Sequence, residues 1–168
     1  MATTAQRAQL RTFMDWSLVH AAKIHYPPGD RRIETIHWVS TMQQLVALVV
    51  TRPQGFTIDC SQFVLLGCHI AGLHDPNGAN YSSDGYTGTL LSGPCPHYSD
   101  PRDALVGAIV VFGPGTGRHT AFVYEPDPVH GDPILCSQGS EPDPRLVRLS
   151  AEAAALPPLV RFLSIAHL

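Results

Sequence analysis

Charge is scarce in this chain: 15% of its 168 residues are Asp, Glu, Lys or Arg, against about 25% in ordinary globular domains. Its 11 basic residues are outnumbered by 14 acidic ones and form no block. The clustered Lys/Arg footprint of a duplex-binding protein is therefore missing, and nucleic acid is not an expected partner. Long apolar runs are also missing. The longest, Leu45–Val50 and Ala104–Phe112, fall short of the roughly 20 residues that cross a bilayer, so no membrane span is expected. Near the N-terminus Arg7, Arg11 and Asp15 interrupt the apolar positions, so no secretory leader is expected and synthesis would end in the cytoplasm. Cys60, Cys68, Cys95 and Cys136 are irregularly spaced with no C-x-x-C, which favours free thiols over a staple framework. The histidines show no zinc-like ligand spacing, and His20, His25, His69 and His74 have no obvious fourth partner. No metal and no cofactor are expected.

What is present suffices for a core. Hydrophobic residues make up 44% of the chain, which excludes a disordered tail or linker. The length suits a single domain over residues 1–168.

Leu10, Phe13, Met14, Leu18 and Val19 recur at helical steps and predict an amphipathic helix from Ala5 to Ile24, broken by Tyr26-Pro27-Pro28-Gly29-Asp30. A second helix is expected from about Glu34 to Val50, and a third opening near Asp59. Leu10, Phe13, Leu18 and Trp38 read as core. The Gly-, Pro- and Asn-rich stretch Leu73–Asp100 reads as a long loop walling a substrate site. Strands then follow: Ala108–Phe112 and Thr120–Tyr124 as a hairpin around Gly113–Gly117, then Pro133–Cys136, Arg145–Leu149 and Val160–Ile165. Helices first and strands later is the order of an α+β domain. Glu125, Asp127, Asp132, Glu141 and Asp143 read as a solvated acidic rim.

Two loop sequences carry no chemistry of their own. Gly113-Pro114-Gly115-Thr116-Gly117 lacks the Gly-Lys-Ser/Thr ending of a phosphate loop, and Asp75-Pro76-Asn77-Gly78 lacks the later ligands of a calcium loop.

The strongest chemical signal is Asp59-Cys60-Ser61-Gln62-Phe63, where a turn meets a helix start. Unpaired amide donors and the positive end of the helix dipole there favour a thiolate. Taken alone, Cys60 fits a buried core thiol as well. His119, heading the second hairpin strand, is the kind of base that a thiol nucleophile requires. Gln138, in Leu135-Cys136-Ser137-Gln138-Gly139-Ser140, stands where its amide oxygen could accept from the ring N–H, and it also fits an ordinary turn residue.

These segments resemble the NlpC-type cell-wall cysteine peptidases, most closely the peptidase domains of actinobacteriophage endolysins. Asp59–Phe63 resembles the family's Asp-Cys-Ser-Gly-Phe motif, with Gln62 in place of the glycine. Asp75–Gly78 with Gly85–Thr89 is similar to a loop of the phage branch. Val106–Phe112 and His119–Tyr124 are similar to the strands that deliver the histidine, and Ser137–Glu141 to the strand end bearing the third polar residue. The resemblance spans roughly Tyr26 to Pro144.

The resemblance implies a papain-like α+β fold with N-terminal helices packed on an antiparallel sheet. It also implies a monomeric hydrolase cutting an amide bond in the peptidoglycan stem peptide, with Cys60, His119 and Gln138 as the catalytic set. Tyr26, Asp59 and Ser61 would be substrate-binding, and the enzyme would reach the wall after release or delivery by a phage. Two readings compete. One is a non-catalytic wall-binding or phage structural module of the same fold, for which Gln62 and the neutral Gln138 argue. The other is a transferase passing an acyl group from Cys60 to an amine.

Overall fold

The computed structural model describes residues 2–26, 38–81, 85–139, 144–158 and 160–165. Helix α1 (Thr4–Val19) opens on a capping box in which Thr3 and Gln6 satisfy each other's backbone N–H groups. Its buried positions, Leu10, Phe13, Met14 and Ser17, form one stripe. The helix stops at His20, shorter than its apolar pattern predicts. A 3₁₀ turn over Ala21–Lys23 and the short strand β1 (Ile24–His25) follow. Val19 lies outside the stripe and is exposed.

Helix α2 (Met42–Thr51) is capped by Thr41. The expected helix start at Glu34 lies outside the described residues, as does most of the break after Tyr26. Trp38 is 54% exposed and is not core, and Leu18 is only half-buried. Strand β2 (Phe56–Thr57) pairs in parallel with β1.

Helix α3 (Cys60–Ile70) is buried on nearly every side. Gly67 makes this possible: a Cβ there would stand 2.8 Å from both the Phe122 and Phe13 rings. The same aromatic column includes Phe63, whose ring centroid is 5.0 Å from that of Phe13 and 6.2 Å from that of Phe122.

The stretch read as loop contains two elements, helix α4 (Thr87–Ser92) and strand β3 (His97–Tyr98). Their composition hid them, since glycine, proline and serine crowd both ends. Strands β4 (Ile109–Phe112), β5 (His119–Glu125), β6 (Ile134–Ser137), β7 (Arg145–Arg148) and β8 (Val160–Leu163) complete an antiparallel six-stranded sheet in the order β3-β8-β4-β5-β6-β7. The strand expected to end at Leu149 ends at Arg148, and helix α5 (Leu149–Ala155) begins there unforeseen.

The sheet is covered on both faces, which the period-two alternation of its side chains allows. Ile109, Val111, Phe122, Cys136 and Leu163 join the core made with α1–α3. Val110, Phe112, Ala121, Val123, Leu135 and Phe162 form a second core with Leu149 of α5. The α+β architecture is thus helices on an antiparallel sheet, with α5 on the far face. Glu125, Asp127 and Asp132 of the acidic rim are exposed or half-buried, whereas Glu141 and Asp143 lie outside the described residues. All four cysteines are buried thiols.

Candidate active site

Cys60 is the first residue of α3. Asp59 caps the helix, its Oδ1 accepting from the Gln62 N–H at 2.8 Å and from the Ser61 hydroxyl at 2.8 Å. Ser61 Oγ also lies 3.3 Å from the Gly85 carbonyl oxygen, which ties the loop before α4 to the start of α3. Asp59 and Ser61, expected at the substrate, are thus engaged in building the helix end, and Ser61 is buried. Gln62 is buried too, and its side-chain Nε2 meets no acceptor among the described residues.

Strand β5 arrives at this helix end. The Thr120 backbone N–H points at the Cys60 sulfur, joined by the amides of Ser61 and of Cys60 itself. These donors favour the thiolate, as the helix start predicts, but they do not win. Cys60 is 5% exposed, and burial first, then the Asp59 carboxylate, pushes its thiol up to about 12. The resting thiol is therefore neutral, contrary to the thiolate expected from helix position alone. Tyr26 lies against the same pair; burial and the nearby Cys60 and Asp59 push its hydroxyl up to about 12 as well.

His119 is the residue before Thr120, and it is buried. Its ring stacks on Phe112, with centroids 5.7 Å apart. Gly139 leaves the space for it, since a Cβ there would stand 2.6 Å from the ring's Cε1. The Nε2 atom lies 2.8 Å from Ser137 Oγ and 3.2 Å from Glu152 Oε1. The Ser137 hydroxyl donates to Glu152 Oε1 at 2.7 Å, and Arg145 holds the other carboxylate oxygen at 2.9 Å. Glu152 is pulled down to about 2, chiefly by the His119 hydrogen bond, with Ser137 and Arg145 adding to it.

The structure brings Cys60, Tyr26, Asp59 and Ser61 together. His119 adjoins Thr120 in the chain, whose N–H meets the Cys60 sulfur, while its ring lies on Phe112, Ser137 and Glu152. It does not hydrogen-bond Cys60 to His119. Thiol–imidazole pairs often lie apart without substrate and tighten when it binds. Gln138, buried, follows Ser137 in the chain, and the side chains at Nε2 are those of Ser137 and Glu152.

Sequence reasoning missed Glu152 and Arg145. One signal was available: Glu152 is the only carboxylate side chain after Asp143, set in the alanine-rich Ser150–Ala155.

No protein-family model matches the chain, and no curated protein does. Among solved structures it is similar to the peptidoglycan hydrolase RipB of Mycobacterium tuberculosis, with a TM-score of 0.48 and 16% identity, over 97% of this chain and 68% of that one.

Proposed function

We propose that the chain is a peptidoglycan hydrolase of NlpC type, a single-domain monomer that cuts an amide bond in the cell-wall stem peptide and serves as a phage lysin. One observation carries this reading. A cysteine at the capped start of a buried helix lies against the main chain of the residue that follows a buried, carboxylate-paired histidine.

In this mechanism Cys60 Sγ bonds to the scissile carbonyl carbon while its proton passes to His119 Nδ1. Because the resting thiol is neutral, the transfer accompanies substrate binding. The tetrahedral oxyanion is met by the Cys60 backbone N–H, with Tyr26 nearby, a contribution of about 10²–10³ in rate per donor. The leaving amine takes the proton from Nδ1. Water, deprotonated by the same nitrogen, then attacks the thioester carbon. The C–S bond breaks, the carboxylate is freed, and Nδ1 hands the proton back to the departing Cys60 sulfur, which restores the neutral thiol.

The test is digestion of purified actinobacterial peptidoglycan by the parent and by Cys60→Ala, with released fragments read by mass spectrometry. New amine and carboxylate ends from the parent alone are expected, and they identify the bond. Equal release from both sinks the hydrolase, and products carrying a new amide in place of the carboxylate turn the reading to acyl transfer.

A non-catalytic wall-binding module is the second reading. It is favoured by a thiol that is buried, neutral and not hydrogen-bonded to the histidine. On that reading the parent binds the wall and releases nothing.

A further inference from the structure

The position that the sequence reserves for one neutral orienting group holds three side chains from three elements: Ser137 ending β6, Arg145 opening β7 and Glu152 in α5. Their hydrogen-bond directions fix the state of the histidine. A carboxylate can only accept, and Arg145 can only donate. The Ser137 hydroxyl has one proton, and it goes to Glu152 Oε1 at 2.7 Å. Toward His119 Ser137 therefore presents a lone pair, and Glu152 Oε1 presents another. Nε2, facing two acceptors at 2.8 Å and 3.2 Å, must carry the proton. The neutral ring is then left with its lone pair on Nδ1, as a base that takes a thiol proton requires.

Resting on the hydrolase reading above, we infer that Ser137 and Glu152, braced by Arg145, are the positioning residues of this site, holding His119 in the Nε2–H tautomer. Gln138 is not needed for that role. The arrangement is built rather than incidental. Glu152 is 5% exposed and Ser137 1% exposed, so neither oxygen has water to fall back on, and an unpartnered carboxylate at this depth would be costly. The ring is also boxed in. Phe112 lies against it on one side, and Gly139 sits where any side chain would drive it off. Orientation by packing and tautomer by hydrogen bonding thus come from different residues and can be tested separately.

The experiment uses the full chain, labelled with ¹⁵N-histidine, in five forms: parent, Cys60→Ala, Glu152→Gln, Glu152→Asp and Ser137→Ala. Long-range ¹H–¹⁵N spectra report the His119 tautomer without any need for turnover, and melting temperatures report folding. The parent ring is expected to be the Nε2–H form. In Glu152→Gln and Ser137→Ala it should become a mixture of tautomers, with kcat on peptidoglycan fragments falling about 10²-fold and KM little changed. Glu152→Asp should regain part of the loss. An Nδ1–H ring in the parent overturns the inference, and that measurement stands even where a variant fails to fold. A folded Glu152→Gln with parental kcat and a lowered melting temperature also overturns it, leaving the pair a structural prop. Equal inactivity of parent and Cys60→Ala overturns the hydrolase reading itself, and the positioning role with it.

Discussion

At the scale of single residues, the site depends on one missing side chain. Gly139 lies beside His119, and a methyl group at its Cα would come 2.6 Å from the ring's Cε1. No staggered adjustment of an alanine removes a Cβ, so the ring must move. Gly139→Ala is therefore expected to reduce hydrolysis of peptidoglycan at least as severely as loss of the positioning carboxylate. Overpacking at this depth should cost about 1–3 kcal/mol of stability. Activity at parental level in a folded Gly139→Ala would show that the ring does not work from where it rests.

The thiol makes a second prediction at this scale. Burial and the Asp59 carboxylate hold Cys60 up at about 12, so in the parent it should alkylate slowly near neutral pH. Asp59→Asn keeps a side-chain oxygen for the cap and removes the charge. Its thiol should titrate lower and alkylate faster at a given pH, with the melting temperature changed little. Alkylation rates against pH, followed by mass spectrometry at Cys60, decide it.

At the scale of elements, two helices do opposite work. Helix α3 was legible in the sequence because its start carries a capping aspartate next to the cysteine, and its apolar residues keep helical spacing. The strands of the hairpin were legible for the same kind of reason, since Ile109–Phe112 and Thr120–Tyr124 are β-branched and aromatic between glycines. Helix α5 was not. It has seven residues, three of its last four are alanine, and it starts directly after a strand, so neither a cap nor a turn announces it.

That blind spot covered the site as well. Glu152 is one turn into α5, and nothing in local patterning says that α5 will lie under β5 and β6. Only the pairing of β6 with β7, Ser137 opposite Arg145, carries the chain to the histidine's side of the sheet. Gln138 stands at the end of that strand, where its amide oxygen could accept from a ring N–H. The carboxylate at the ring is close in space and fifteen residues on from Ser137.

At the scale of the whole molecule, the Glu152 cluster couples the site to stability. Its carboxyl sits at about 2 when folded, against an ordinary value of 4.5. A depressed acid stabilises the folded state fully above the unfolded value and loses that contribution as pH falls through the folded one. The protein should thus lose on the order of 3 kcal/mol between about pH 4.5 and pH 2 from this group alone. Glu152→Gln should flatten that segment of the stability curve, measured by urea unfolding at successive pH values. A variant curve parallel to the parent's would show that the acid loss arises elsewhere.

The strand order has a consequence for how the molecule is made. Strand β8 is the last of the eight described strands to be synthesised, yet it lies inside the sheet, between β3 and β4. A growing chain that has already emerged through β7 still has a gap where β8 belongs, with the β4 edge unpaired and apolar on both sides. Folding of the sheet must wait for Val160–Leu163 and then close contacts of long sequence separation, the slow kind. Until then the exposed β4 edge is the place where a nascent or truncated chain would pair with a neighbour instead of with itself.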